Sequence, residues 1–155
     1  MFNIVLVEPE IPPNTGNIAR LCLATGSTLH LVKPLGFSLD DRQLKRAGLD
    51  YWNEVKLTLW DSLQPLLAAG GAPRERSFFL TTKCERPYYD QVFLPGDFLF
   101  FGRETKGLPE SLLTENSSRL LTIPMRSETR SLNLATAVAI VLFEGMRQLR
   151  HVSPK

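Results

Sequence analysis

Apolar and polar positions along this chain repeat one arrangement: a short apolar run, a loop of proline, glycine and small polar residues, then a segment with helical periodicity. Residues 2–7 (FNIVLV) predict a buried strand. The stretch Glu8-Pro9-Glu10-Ile11-Pro12-Pro13 holds three prolines, which fix φ and remove donors, and so predicts neither helix nor interior strand. Asn14 is the expected N-cap of a helix over 16–24 that closes near Gly26. Residues 28–32 predict a second strand. Ser38 or Asp40 is expected to cap a short helix through Ala47, with Gly48 as its stop. Residues 57–69 read as a further helix, and Gly70-Gly71-Ala72-Pro73 as a loop.

The second half repeats the alternation. Strands are expected at 77–81 and 98–101, a short helix at 109–115, a strand at 120–123 and one long helix from about Asn133 to Arg150. The first half of that helix is apolar nearly all round, which implies burial on more than one side. Strands alternating with helices imply an α/β protein: an open, mostly parallel sheet with helices on both faces. No linker, repeat or low-complexity segment interrupts the pattern, so 1–155 is read as one domain.

Composition narrows the chemistry by exclusion. No apolar run is long enough to span a membrane. Cys22 and Cys84 stand alone, and only His30 and His151 accompany them, which favours two reduced thiols in a cytoplasmic protein and no metal site. The net charge of +2 does not announce a nucleic-acid binder. Cations do gather at Arg42, Lys45 and Arg46, and again at Arg119, Arg126, Arg130, Arg147 and Arg150, although such runs also decorate solvated faces.

Three loops carry the candidate chemistry, each after a strand and before a helix, where open α/β sheets hold ligands. In the first, residues 12–20, Asn14 is either a helix cap or a loop organiser, and Arg20 either a surface cation or a fixed functional one. In the second, residues 101–109 (FGRETKGLP), the glycine spacing suggests a phosphate loop, but Leu108-Pro109 replaces the Lys-Ser/Thr such loops need. Its glycines serve either a sharp turn or a close approach to a ligand. In the third, residues 123–135, Ser131 or Asn133 opens the long helix, whose free N–H groups favour negative charge.

Taken in order, NTGNIAR at 14–20, FGRETKGLP at 101–109 and IPM…SLNLATAV at 123–138 resemble the three motifs of the SPOUT, or α/β-knot, RNA methyltransferases. EPEIPPNTGN at 8–17 and RAGLDY at 46–51 are similar to the small single-domain branch that methylates the wobble nucleotide of tRNA. The resemblance covers essentially the whole chain. Arg103 departs from it, standing where a proline or serine is more usual.

The resemblance implies a deep trefoil knot in the C-terminal part, a homodimer through the first-motif helix and the C-terminal helix, and S-adenosylmethionine as cofactor. The reaction implied is 2′-O-methylation of the ribose of a wobble cytidine or modified uridine. Cofactor contacts carry over to Leu80 and Thr81, to Gly102, Glu104 and Gly107, to Ile123 and Met125, and to Ser131 and Leu132. Arg20 matches the arginine at the catalytic centre, with Asn14 and Asn133 as orienting groups and Glu104 as a loop organiser or proton acceptor. Because a guanidinium keeps its charge, Arg20 is expected to hold an RNA phosphate and stabilise charge on the ribose oxygen rather than act as a base. Arg42, Lys45, Arg46, Tyr51, Arg126 and Arg130 are the expected RNA contacts. Methylation of ribosomal RNA or another tRNA position, and a non-catalytic RNA-binding protein that keeps the cofactor site, remain as alternatives.

Overall fold

The structure, a computed structural model, describes residues 1–149; nothing beyond Leu149, and none of the side chains of residues 47–51, falls within that description. Six strands lie in the order β3-β2-β1-β5-β4-β6, and every pairing is parallel. They are β1 (Asn3–Val7), β2 (Thr28–Val32), β3 (Leu57–Trp60), β4 (Ser77–Leu80), β5 (Phe98–Phe101) and β6 (Leu120–Leu121). The helices are α1 (Pro12–Thr25), α2 (Arg42–Gly48), α3 (Leu63–Leu67), α4 (Glu110–Glu115) and α5 (Leu134–Leu149).

Strand alternation separates two cores. Ile4 and Leu6 of β1, with Leu29 and Leu31 of β2, face a layer built on Ile18 and Cys22 of α1 and Val138 and Leu142 of α5. Val5, Val7, Phe79 and Phe100 face the other way, onto Leu66 of α3 and Leu112 and Leu113 of α4. Both faces are therefore covered, as the near-continuous apolar strands require.

Three expectations are corrected. Helix α1 begins at Pro12 with Ile11 as its N-cap, so Asn14 lies within the first turn and does not cap it. Prolines suit the first helical positions because the N–H groups they lack would have no intrahelical acceptor there. Residues 57–69 are not one helix: 57–60 form β3 on β2, and only 63–67 are helical. A short apolar run does not distinguish the two, and the open edge of β2 decides it. Helix α2 is capped by Asp41, whose carboxylate accepts from the N–H of Gln43 at 2.7 Å, rather than by Ser38 or Asp40.

Because all strands run the same way, their carboxyl ends share one rim. β2 and β3 lie on one side of β1, and β5, β4 and β6 on the other, so the order reverses beside β1. On the β6 side the chain is held on both edges. The Thr81 N–H donates to the Leu121 carbonyl at 3.0 Å, the Tyr88 N–H to the Thr122 carbonyl at 2.9 Å, and the Thr122 N–H to the Arg86 carbonyl at 2.8 Å. The connection from β4 to β5 thus clasps the strand that leads into the third motif.

A polar chain centred on the buried His30 ties β1 to β2, to the edge strand β3 and to the turn before β5. The Trp60 indole N–H donates to His30 Nδ1 at 3.0 Å, His30 Nε2 meets Asn3 Oδ1 at 3.0 Å, and Asn3 Nδ2 donates to the Gly96 carbonyl at 3.0 Å. An indole can only donate, so His30 carries its proton on Nε2 and is neutral. Burial pushes its pKa down from 6.5 to about 4. The unfolded chain therefore binds more protons than the folded one between those values. His30 contributes stability that is complete above pH 6.5 and is lost as the pH falls toward 4, on the order of 3 kcal/mol at most. Denaturant unfolding across this range should show stability falling with acidity, and His30→Gln should flatten that dependence. An unchanged slope in the variant would show that His30 does not supply it.

Candidate functional site

A cleft of about 580 Å³ opens on the rim, over the carboxyl ends of β4, β5 and β6. Its position beside β1 is the switch point at which open α/β sheets bind ligands. Three segments wall it: the chain after β4, the 102–108 loop after β5, and residues 123–133 before α5.

The 102–108 loop is folded back on itself. Arg103 and Gly107 exchange backbone hydrogen bonds at 3.2 and 2.9 Å, and Gly107 takes φ +69°, in the left-handed region. A Cβ at Gly102 would collide with the backbone of Gly107 and Leu108, so only glycine lets the two limbs touch. The loop is also laced to the segment before α1. The Arg103 guanidinium donates to the Glu8 carboxylate, from Nε at 2.6 Å. Thr105 donates to Glu10 through its hydroxyl at 2.7 Å and its N–H at 3.2 Å, which lowers the Glu10 pKa. Glu8 itself sits at φ 53°, an uncommon conformation for a side-chain-bearing residue. Arg103, the departure from the family pattern, thus pairs with Glu8 of the EPEIPPNTGN stretch that leads into the first motif.

Glu104 completes the join. Its carboxylate accepts the N–H of Glu10 at 2.8 Å and of Ile11 at 3.0 Å, and the side-chain amide of Asn14 at 3.4 Å. Ile11 offers no capping oxygen, so an anion from a distant loop occupies the α1 N-terminus instead. Asn14 in turn accepts from Asn133 Nδ2 at 2.9 Å, and Asn133 Oδ1 accepts the Thr136 N–H at 3.2 Å, capping α5. Each amide is oriented by its neighbours, and three loops share one hydrogen-bonded chain. With three donors on its oxygens, Glu104 organises the loops around it.

All nine residues expected to contact cofactor line this cleft, and so do Asn14 and Asn133. Leu80 and Thr81 follow β4, and Gly102, Glu104 and Gly107 shape the second wall. Ile123, Met125, Ser131 and Leu132 belong to a segment without regular secondary structure, whose backbone donors and acceptors are therefore open to a ligand. Arg130 also lines the cleft, whereas Arg126 is exposed outside it.

Arg20 is not in the cleft of its own chain. It lies six residues beyond Asn14, about 9 Å along α1, and is exposed. Arg42, Lys45 and Arg46 are exposed on α2, with Lys45 3.6 Å from Asp40; the Tyr51 side chain lies outside the described residues. Helix α2 packs on α1, and the loop before it rests on the segment preceding α1, where a Cβ at Gly36 would lie 2.7 Å from Glu10 Cα. None of these α2 cations lines the cleft. Lys83 and Lys106 do line it and escaped the sequence reading. Lys83 had a usable signal, since it lies three residues beyond β4, whose carboxyl end borders the site.

Comparison with known proteins agrees with this geometry. The family model described as the SpoU rRNA Methylase family matches residues 1–143. A protein of Polaromonas sp. named tRNA (cytidine(34)-2'-O)-methyltransferase is 51% identical over 149 residues, covering 96% of this chain and 91% of its own. A structure solved for insights into the 2-OH methylation of C/U34 on tRNA superposes with a TM-score of 0.90 at 48% identity, covering 97% of each chain. An AdoMet-bound rRNA methyltransferase from Sinorhizobium meliloti superposes with a TM-score of 0.83 at 25% identity, over 96% of this chain and 56% of that one. The fold, the three-loop cleft and the match along most of the sequence lead to one assignment: this chain is a member of the SpoU methylase family.

Proposed function

We propose that this chain transfers a methyl group from S-adenosylmethionine to the ribose 2′-oxygen of nucleotide 34, the wobble position, of tRNA. The observation that carries the reading is that the residues matching the family's cofactor contacts, from four separate stretches of sequence, line one cleft. The substrate follows from the near full-length likeness to the Polaromonas protein and to the C/U34 structure. Cytoplasmic localisation belongs to the same proposal and is supported by the tRNA substrate.

The cleft fits the cofactor. Gly102 and Gly107 bring backbone to its wall with no side chain in the way, and Leu80, Ile123 and Leu132 offer apolar surface to a flat base. The backbone of 123–132, outside helix and strand, supplies polar partners of the kind adenine and ribose need. S-adenosylmethionine, when bound, supplies an electrophilic methyl on a sulfonium. The chain's own task is to align a ribose hydroxyl with it and ease the loss of the hydroxyl proton. Asn14 and Asn133, fixed by Glu104 and by the start of α5, orient the groups at the cleft wall.

Arg20 stays charged, holds an RNA phosphate and stabilises negative charge developing on the ribose oxygen. Its exposure on α1 fits a homodimer in which it faces the partner's cleft. Phe143, 47% exposed on the α5 that packs on α1, supplies apolar surface for the same interface. Arg42, Lys45, Arg46 and Arg130 are phosphate contacts along the rim, with Arg126 and Tyr51 beside them in this reading. Threading of α5 through a trefoil knot belongs to the same proposal and is supported by the clasp around Thr122.

The test is transfer of labelled methyl from S-adenosylmethionine to total tRNA, then nuclease digestion and nucleoside mass spectrometry. The expected product is a 2′-O-methylated pyrimidine at position 34. Label on a base or at another position contradicts the substrate, and cofactor binding without label in any RNA favours a non-catalytic protein. Arg20→Ala should lower turnover about 100-fold or more while cofactor affinity is kept; near-full activity would remove Arg20 from catalysis. Gly102→Ala should force the limbs of its loop apart and abolish cofactor binding measured by calorimetry. Retained affinity would mean that the closed loop is not part of the cofactor site.

A further inference from the structure

A second concavity, of about 480 Å³, lies on the other side of the 102–108 loop. Lys83, Arg103 and Lys106 line both it and the cofactor cleft, so the loop is a wall shared by two adjoining sites. Glu8 and Glu110 are its only carboxylates, and both face cations: Glu8 holds Arg103, and Glu110 meets Lys83. The two pairs differ in kind. Arg103 and Glu8 are 36% and 25% exposed and lace the 102–108 loop to the segment before α1, whereas Lys83 and Glu110 are 54% and 73% exposed. A solvated pair of the second kind contributes little and exchanges readily for another anion. Lys106 has no carboxylate within ion-pair distance among the described residues.

We propose that this concavity is a phosphodiester subsite for the RNA strand, with Lys106 and Lys83 as its cations. The inference rests on the tRNA methylation reading and adds a location for the backbone. A ribose presenting its 2′-oxygen to the cleft carries phosphates on its 3′ and 5′ oxygens, so one of them must lie beside the wall of that cleft. Leu108 and Pro109 are the only apolar side chains in the second site, too few to sandwich a base. Its chemistry recognises charge and not sequence, as contacts to a nucleic-acid backbone do. On binding, Lys83 leaves Glu110 for the phosphate, Lys106 meets the same group, and Arg103 stays with Glu8 to keep the wall in place.

The experiment measures affinity of the full chain for tRNA across a salt series without cofactor, and affinity for S-adenosylmethionine separately. Lys83→Ala and Lys106→Ala should each weaken tRNA binding several-fold at low salt. Each should also reduce the slope of log affinity against log salt by nearly one unit, and the loss in tRNA affinity should exceed any loss in cofactor affinity, because both lysines also border the cleft. Glu110→Gln should tighten tRNA binding by freeing Lys83. Unchanged tRNA affinity and slope in both lysine variants would overturn the subsite, and so would a loss that falls on the cofactor instead. The two readings fail separately: a wild-type chain that neither binds nor methylates tRNA sinks the function itself. A wild-type chain that methylates tRNA beside indifferent lysine variants sinks only the subsite.

Discussion

The hydrogen-bonded chain from Glu104 through Asn14 to Asn133 is the constraint on which the site depends. Its members are separated by 90 and 119 positions in sequence, yet each satisfies a polar group that its own segment leaves open. Glu104 fills the unpaired N-terminus of α1, and Asn133 caps α5. The cap of α5 is local, whereas at the start of α1 the anion is supplied from across the fold. The cleft is the space left when the three loops are pinned in this way. Its shape follows from backbone closure at Gly102 and from amide orientation, and only secondarily from the bulk of its lining side chains.

Charge is distributed to suit two different ligands. The cofactor walls are mostly glycine, apolar side chains and open backbone, with Glu104 already engaged by N–H donors. Cations border the cleft at Lys83, Lys106 and Arg130, and α2 carries Arg42, Lys45 and Arg46 on its exposed side. A near-neutral net charge conceals this, because acidic residues such as Glu8 and Glu10 are consumed in lacing loops together. The cationic surface available to a polyanion is therefore larger than the sum of charges suggests.

Strands flanked by glycine and proline were legible because burial on both faces writes them as plain apolar runs, and the three motif loops were legible as breaks between them. The start of α1 was not, since prolines that terminate helices elsewhere are suited to a first turn. Strand β3 was hidden because LTLW carries no period long enough to separate strand from helix, and only the register with β2 settles it. Within the site, residue types at Asn14, Glu104 and Asn133 could be carried over by resemblance. Their roles could not, because which oxygen faces which N–H is decided by contacts between distant segments. Arg103 illustrates the same limit: its partner Glu8 is visible in the sequence, but the pairing exists only once β1 and β5 lie side by side.

The central claim is that the Asn14–Asn133 contact acts as one unit in building the cofactor cleft. A double-mutant cycle tests it most directly, with Asn14→Ala, Asn133→Ala and the double variant each titrated with S-adenosylmethionine by calorimetry. The account predicts that the double variant binds no more weakly than the weaker single variant, a coupling of about 1 kcal/mol or more. Losses that simply add would mean that the two amides act independently, and would contradict the account.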